Sequence, residues 1–529
     1  MAYHTLVFLV VFLPLVILFY QLAGKKYRPM VLLAAGYLFF FSFSRMLCLY
    51  LLGVTAVLYV AGIAIEKCQQ DFNEQKKGQE RNAVKELKKV VTKQKKHILL
   101  CGLLILLGVL LCVKYYNFFA GNINGLLAFF SLSGRLPQLR ILQPIGISFY
   151  TLQGIGYLVD VYEGKIEAEH HFGRLALFMA FFPQIMEGPI SRYGQTAEKL
   201  YAGTPVTEHS LIMGACRICW GMFKKIIIAD RLNPFVEHIF EGYIYCGGVT
   251  IFLGAIAYTL QLYMEFSGGM DIVIGVAEIF GVILPENFRQ PFFSKNVSEF
   301  WRRWHITLGA WLKDYIFYSV SLSERVKKAG NRARKKFGKH GNKIVVSAAA
   351  LFPVWFCNGI WHGARWSYLF FGMYYFVLIM LSVIFEPLFE RFRGHFSKLV
   401  KNPLYAVFQM FRTAVLVVIG ELFFRAGGLK HGMLMFARMV TNFQPGELLS
   451  GNLMELGLSP EDFLIIFLCL IVVFVVSCCH EKGIHVREKM MSLPTAARWC
   501  VYYGLMFSVI ILGAYGDGYL VVELIYAGF

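Results

Sequence analysis

Long apolar stretches recur along the whole of this 529-residue chain, and they constrain its fold more than any other feature. A helix needs about 20 predominantly apolar residues to cross the hydrocarbon core of a bilayer. The chain is 57% hydrophobic and 16% charged, whereas soluble domains average about 25% charged residues. The sequence therefore predicts an all-α polytopic membrane protein with about 11–13 membrane helices, some of them short or re-entrant. The predicted spans are residues 4–22, 29–44, 46–64, 98–117, 140–160, 173–190, 209–229, 249–282, 344–361, 366–388, 404–425, 462–479 and 497–515.

Positive charge collects in the short segments between these stretches, and the formal net charge is +19. Residues 66–97 carry ten Lys and Arg against five acids, and residues 324–343 carry nine against one. Cytoplasmic loops of membrane proteins are enriched in Lys and Arg, which face anionic lipid. The charge therefore indicates membrane lipid as the partner of these segments, and not nucleic acid. Because three spans precede residues 66–97, the same rule predicts an N-terminus outside the cytoplasm.

The first apolar stretch lacks the positive region and the cleavage site of a secretory signal, so we predict that it is a retained membrane helix. Spans 140–160, 173–190 and 344–361 contain Pro, Gly and polar residues, and we expect them to be broken or re-entrant. With no internal repeat and no long linker, the chain is predicted to form one domain over residues 1–529. Its 12 cysteines are scattered and indicate buried thiols, and we predict no metal site.

Residues 298–315 have the pattern of one amphipathic helix that lies near an interface or dips into a cavity and does not cross lipid. Ser298 is the predicted N-cap, followed by an acid in the first turn. The apolar residues at helical spacing are Phe300, Trp304, Leu308, Trp311 and Tyr315. Arg302, Arg303 and Lys313 lie off this stripe.

Two histidines occupy unusual positions for ionisable side chains. His305 falls on the apolar side of the amphipathic segment, and His362 lies among Trp and Phe in a predicted span. Ionisable residues within membranes usually face a bundle interior or a water-filled path, which indicates function. Gly359 and Gly363 flank His362 and allow close backbone approach, where a pantetheine arm could reach the ring. A histidine held by a backbone carbonyl or a carboxylate is the structural alternative.

Other predicted spans also contain polar side chains, which are typical of helix-packing hydrogen bonds and internal ion pairs, or of a hydrated interior. They are Ser148, Gln153, Asp160, Glu187, Arg192, Gln261, Glu265, Ser267, Asp271 and Glu278. Two classes of function fit these features: an enzyme that transfers acyl groups at a histidine, and a transporter with a polar substrate path. Transporters often contain inverted repeats with matched broken helices, and we find no such repeat.

Two long motifs closely resemble the membrane-bound O-acyltransferase family: ENFRQPFFSKNVSEFWRRWHITLGAWLKDYIFYSV and, about 40 residues later, GIWHGARWSYLFFG. Three further segments match in the same order: PIGISFYTLQGIGYLVDVY, FFPQIMEGPISRY and FSGGMDIVIGVAEIFG. The resemblance covers about residues 100–380, between N-terminal helices in residues 1–64 and C-terminal helices in residues 400–529. It is greatest with the bacterial branch that contains the alginate O-acetyltransferase membrane subunit. The D-alanyl transfer protein of teichoic acid synthesis is a shorter relative.

The resemblance implies a funnel-shaped ring of helices around a central tunnel, in a bacterial plasma membrane. It places the essential histidine of the family at His362 and the second family histidine at His305. It also implies a cytoplasmic acyl thioester donor such as acetyl-CoA, no bound cofactor, and an acyl-accepting protein or polysaccharide outside. The residues expected near the donor or substrate are Arg302, Arg303, Trp304, Lys313, Asp314, Asn358, Trp361 and Gly363.

The expected reaction is acetyl transfer toward a cell-surface polysaccharide, with D-alanyl transfer to teichoic acid and a non-catalytic transporter as the alternatives. A neutral imidazole can act as general base or can carry the acyl group, and the sequence leaves both mechanisms open. Basic residues 324–343 can anchor the chain to lipid or attract the phosphates of coenzyme A. Two positions depart from the family pattern: Glu265 stands where an aspartate is usual, and Arg365 where a small or amide residue is commoner.

Overall fold

The computed structural model describes residues 2–449 and 456–515. The chain is 79% helical, and the described part has no β-pairing beyond a single bridge between Phe288 and Trp304, so the all-α prediction is confirmed. A short apolar helical stretch runs over Val7–Leu22, and eight described helices are long and apolar enough to cross a membrane. These eight are Arg28–Gln75, Arg81–Phe129, Gly248–Ile279, Glu324–His362, Trp366–Ile384, Pro403–Arg425, Pro460–Glu481 and Thr495–Leu512.

The chain divides into two compact units, Met1–Gly214 with Val273–Pro285 and Ala215–Ile272 with Glu286–Phe529. The single domain expected over residues 1–529 stays a prediction, as does the funnel shape. The predicted C-terminal helical region reaches into residues 516–529, which lie outside the described residues.

The first unit contains the helices that precede residue 215. They are α1 Leu13–Leu22, α2 Arg28–Ser44, α3 Cys48–Gln75, α4 Arg81–Leu110, α5 Tyr116–Phe129, α6 Ile147–Glu163, α7 Phe172–Ala180, α8 Tyr193–Tyr201 and the start of α9 Glu208–Met222. As predicted, the 173–190 span is broken, because α7 ends at Ala180 and buried irregular backbone follows. Gln184, in this irregular segment, donates to the Phe178 carbonyl in the last turn of α7 over 2.9 Å, which satisfies a carbonyl that the end of the helix leaves without an intrahelical partner.

The second unit contains the remaining helices. They are α10 Asp230–Glu241, α11 Gly248–Ile279, α12 Val297–Arg303, α13 Ile306–Leu312, α14 Tyr318–Ser321, α15 Glu324–His362, α16 Trp366–Ile384, α17 Glu386–His395, α18 Ser397–Lys401, α19 Pro403–Arg425, α20 Leu429–Thr441, α21 Pro460–Glu481, α22 Val486–Met491 and α23 Thr495–Leu512. The division between the units falls inside α9 and α11. A π-helical segment, Phe223–Ala229, joins α9 to α10.

The expected break in residues 344–361 is wrong. Helix α15 runs without interruption through Pro353 to His362, and its only non-helical residue is Gly338, with φ 70°. Transmembrane helices tolerate proline where neighbouring helices support them, and α16 packs closely on this one. A Cβ atom on Gly359 would lie 2.6 Å from the Tyr368 carbonyl oxygen, so this glycine admits the neighbouring helix and not a ligand.

The expected single amphipathic helix over residues 298–315 is also wrong. Two short helices, α12 and α13, are separated by an interruption at Trp304 and His305. The N-cap is Asn296, whose side chain accepts from the Glu299 backbone N–H, and not Ser298. The apolar stripe itself holds, because Phe300, Trp304, Leu308 and Trp311 are all buried.

Candidate active site

His305 lies at the interruption between α12 and α13, in a backbone conformation that few residues other than glycine adopt. Its φ of 45° and ψ of 51° are left-handed, a region that is uncommon for residues other than glycine. Backbone pairing with the segment after Pro285 holds this turn in place. Ile306 N donates to Asn287 O over 3.0 Å, and Arg289 N donates to Arg303 O over 2.9 Å.

Asn287 fixes the orientation of the His305 ring from the same segment. Its Oδ1 accepts from the Thr307 backbone N–H at 3.0 Å and from the Thr307 hydroxyl at 2.9 Å, and lies 3.3 Å from His305 Nδ1. An amide oxygen only accepts, so this contact places the ring proton on Nδ1. Burial lowers the pKa of His305 to about 3, so the imidazole is neutral near pH 7.

His362 ends helix α15 in a wall of aromatic rings. Its imidazole is 5% exposed, and it meets Phe424 edge-on with ring centroids 4.9 Å apart. Phe371 lies 5.7 Å from it in the same manner, and Tyr368 lies at 6.4 Å. Helices α16 and α19 supply these rings, so the histidine is enclosed by three different helices.

Trp361 connects the two histidines. Its ring lies 5.4 Å from the ring of His305 and 5.0 Å from the ring of His362. Phe266 of α11 also contacts His305, with ring centroids 4.8 Å apart and an edge-on geometry. The structure therefore brings His305, Trp361 and His362, which are predicted from two separate motifs, into one buried aromatic cluster.

Several buried polar atoms near this cluster form no hydrogen bond with residues 2–449 and 456–515. They are Trp301 Nε1, Trp355 Nε1, Asn358 Oδ1, Ser367 Oγ and Glu421 Oε2. Asn358 lies one turn before His362 on α15, and Glu421 lies one turn before Phe424 on α19. Leaving such atoms unsatisfied costs about 1–3 kcal/mol each, so this concentration indicates a site for a polar ligand or for water.

The remaining predicted residues fall into two groups. Asn358 and Trp361 lie with the histidines, and Gly363 follows His362 directly, as the C-cap of α15. Trp304 is a packing residue, stacked on Phe300 at 5.3 Å.

The predicted donor-binding charges are mostly engaged elsewhere. Arg303 forms ion pairs of 2.9 Å with Glu299 and 2.7 Å with Glu481. Lys313 lies over the Tyr318 ring at 5.7 Å, and Asp314 follows it, half-buried, in a π-helical segment. Arg302 is exposed on α12. None of these observations assigns them a role toward a donor.

Two functional candidates were absent from the sequence prediction, Asn287 and Glu421. Glu421 is a single acid within the apolar residues of α19 and is 1% exposed. A lone carboxylate in a membrane run indicates function by default, so this signal was present. Asn287 has no comparable signal, because only the fold shows that its side chain contacts His305.

Two of the other polar residues expected in the membrane, Asp271 and Glu265, form internal ion pairs, as the packing interpretation predicts. Lys224 Nζ lies 2.6 Å from Asp271, which also pairs with Arg217 at 2.9 Å. Lys225 Nζ lies 2.6 Å from Asp230 and 3.3 Å from Glu265. These networks belong to the π-helical segment after α9 and to α11.

Comparison with known proteins matches residues 167–419 to the model of the membrane-bound O-acyltransferase family. A Pseudomonas aeruginosa protein named "Probable alginate O-acetylase" is 33% identical over 86% of this chain and 78% of its own length. A Helicobacter pylori peptidoglycan O-acetyltransferase is 26% identical over 83% of this chain and 80% of its own length. A Bacillus subtilis teichoic acid D-alanyltransferase is 29% identical over 49% of this chain and 63% of its own length.

A multi-helix membrane protein with a buried histidine pair and these relatives is an integral membrane O-acyltransferase. The chain belongs to the membrane-bound O-acyltransferase family.

Proposed function

We propose that this chain transfers an acetyl group from a cytoplasmic acyl thioester, such as acetyl-CoA, to a hydroxyl of an extracytoplasmic polysaccharide. The observation that carries the proposal is the contact of His305 and His362 with Trp361 in one buried cluster. An acyl transfer between two membrane faces needs a reactive base that is shielded from bulk water, because water would hydrolyse the thioester. His362 meets that requirement.

In this proposal His362 is the general base. The acceptor hydroxyl attacks the thioester carbonyl carbon, its proton passes to the imidazole, and the carbon–sulfur bond breaks. The imidazolium then returns the proton to the departing thiolate, so the ring ends neutral. A positioned base of this kind contributes about 10²–10⁴-fold to the rate.

His305 is a positioning residue in the same scheme. Asn287 holds its proton on Nδ1, which leaves Nε2 as an acceptor within the cluster. Asn358, Trp355 and Glu421 supply the acceptors and donors that the amides of a thioester arm require. No metal or resident cofactor takes part in this scheme.

The relatives support acetyl as the acyl group. The two acetyl-transferring relatives each match 83% or more of this chain, whereas the D-alanyl-transferring relative matches 49%. The basic segments 66–97 and 324–343 support a cytoplasmic donor and an N-terminus outside, in a bacterial plasma membrane. We propose that the acetyl group reaches the polymer directly or through an extracytoplasmic acyl-accepting protein.

The test is incorporation of labelled acetate into the surface polymer of cells that carry His362→Ala, at matched membrane expression. We expect the label to fall by about 10²-fold or more. His395→Ala, which removes an exposed histidine on α17, is the matched control and keeps full label. His362→Gln repeats the test with a side chain of similar size. Unchanged label in both His362 variants contradicts the proposal and favours the transporter.

A further inference from the structure

The second unit has two ends, which helices α15, α16 and α19 connect. Near one end, Lys343 Nζ contacts Glu386 at 2.6 Å, and His340 Nε2 donates to the Ile384 carbonyl at 3.1 Å. This end carries the basic segment 324–343, and α17 and α18 add further Arg and Lys.

The histidine site lies toward the other end of these helices. At about 1.5 Å per residue, α15 rises about 28 Å from Lys343 to His362, and α19 rises about 34 Å along its length. Both lengths are comparable with the ~30 Å hydrocarbon core of a bilayer. The turn at residues 363–365 and the end of α19 therefore lie about one bilayer thickness from the basic end.

Two arginines stand at this far end. Arg365 is exposed in the turn between α15 and α16, and Arg425 is half-buried as the last residue of α19. Each guanidinium lies over a ring: Arg365 over Tyr368 at 6.0 Å and Arg425 over Phe240 at 5.6 Å. Within the described residues neither arginine has a carboxylate within ion-pair distance.

Both arginines lie near the same ring, and that ring adjoins the histidine. Arg365 lies over the Tyr368 ring at 6.0 Å, and Arg425 directly follows Phe424, which packs on that ring. The Tyr368 ring lies 4.9 Å from Phe424 and 6.4 Å from His362. Two positive charges without a carboxylate partner among the described residues therefore lie at the end of these helices that carries the candidate base.

We propose that Arg365 and Arg425 form an anion-binding site at the extracytoplasmic mouth of the histidine site, where they hold a carboxylate of the acceptor sugar. This inference rests on the proposed function and on the orientation that the basic segments indicate. The positive-inside rule disfavours arginine at the extracytoplasmic end, so these two charges need another reason to be there.

A carboxylate fits the site better than a neutral sugar does. The planar guanidinium pairs bidentately with carboxylate and phosphate groups. The phosphates of an acyl donor share this chemistry, but a cytoplasmic donor enters from the basic end. Since Tyr368 adjoins His362, the anion belongs to the acylated sugar or to its neighbour, and it would place a hydroxyl of the acceptor at the base.

Binding to the purified full chain in lipid nanodiscs tests the site directly. The probes are a short oligouronate and its carboxyl-reduced neutral counterpart. We expect the wild type to bind the acidic probe about tenfold more tightly, and Arg365→Gln with Arg425→Gln to remove that preference. Replacement of both by Lys, which keeps charge but loses the planar fork, should retain part of it. Arg393→Gln, a charge loss at the basic end, is the matched control and leaves the preference intact.

The outcomes separate this inference from the proposed function. Equal binding of both probes, or no binding of either, by the wild type overturns the anion site even if label still depends on His362. If the wild type prefers the acidic probe but the acetate label in the polymer does not depend on His362, the anion site is retained and the proposed transferase function is overturned. If the double Gln variant instead raises the KM for acetyl-CoA and not for acetyl-pantetheine, the anion is a donor phosphate and the acceptor assignment is wrong.

Discussion

The second unit contains two buried polar regions that differ in one respect. Around the π-helical segment after α9, Lys224 and Lys225 are paired with carboxylates at 2.6 Å. Around His362, by contrast, Trp355 Nε1, Asn358 Oδ1 and Glu421 Oε2 form no hydrogen bond with the described residues. Both regions are equally buried, so burial alone does not distinguish structure from function.

The difference lies in what satisfies each group. A buried charge that is paired with an opposite charge of the protein is compensated, and removal of its partner leaves an uncompensated ion. A buried polar group without a protein partner is costly unless a ligand or water supplies the bond. The paired region therefore has the character of a structural support, whereas the region around His362 has the character of a binding site.

The largest expected effect is on the paired region. Lys225→Met leaves Glu265 and Asp230 buried without their cation, and we expect a loss of about 3–5 kcal/mol in the free energy of unfolding. Thermal unfolding of the purified protein in detergent measures this loss. Arg393→Gln, at an exposed site on α17, is the control. An unfolding temperature of Lys225→Met equal to that of the wild type would show that the pairs are not structural.

A smaller loss of stability is expected when the pH is lowered, and we attribute it to His305. Its pKa is lowered by burial, so below about pH 6.5 the unfolded chain binds a proton that the folded chain does not. The contribution of neutral His305 to the free energy of unfolding is fully present above that pH. It falls by up to about 1.4 kcal/mol per pH unit as the pH drops toward 3.

The comparison for that effect is His305→Asn, because asparagine tolerates left-handed backbone. Unfolding temperatures between pH 7 and pH 5 should decline less steeply in this variant than in the wild type. His395→Asn should keep the wild-type slope. Identical slopes in His305→Asn and the wild type would mean that His305 is not the titrating group.

The smallest effect on stability is expected at Glu421. Because no described group pairs with its Oε2, Glu421→Gln should change the free energy of unfolding by less than about 1 kcal/mol. Acetyl transfer should nevertheless fall several-fold, since an NH2 group that only donates replaces one of the two acceptor oxygens of the carboxylate. Unfolding and label incorporation are measured on the same variant. A large loss of stability with normal transfer per folded molecule would place Glu421 with the paired region instead.

Much of the fold follows from the sequence because the bilayer permits few solutions. Apolar runs of the required length must become helices, since only internal hydrogen bonds satisfy the backbone in lipid. Local signals were less reliable. Pro353 predicted a break that α15 does not have, because packing against α16 supports the helix. The apolar spacing of residues 298–315 predicted one helix, although backbone pairing with residues 287–289 interrupts it at His305.

The sequence by itself determined the membrane helices, the surplus of positive charge and the two histidines, because hydrophobic length, charge and residue type are properties of single segments. Only the tertiary structure decided which groups meet. It placed Trp361 between His305 and His362, assigned Asn287 to one of them, and paired Arg303 with acids. Among the described residues, it also left Arg365 and Arg425 without such pairs. Contacts between residues distant in the chain depend on how helices pack, and helix packing is settled by the whole fold.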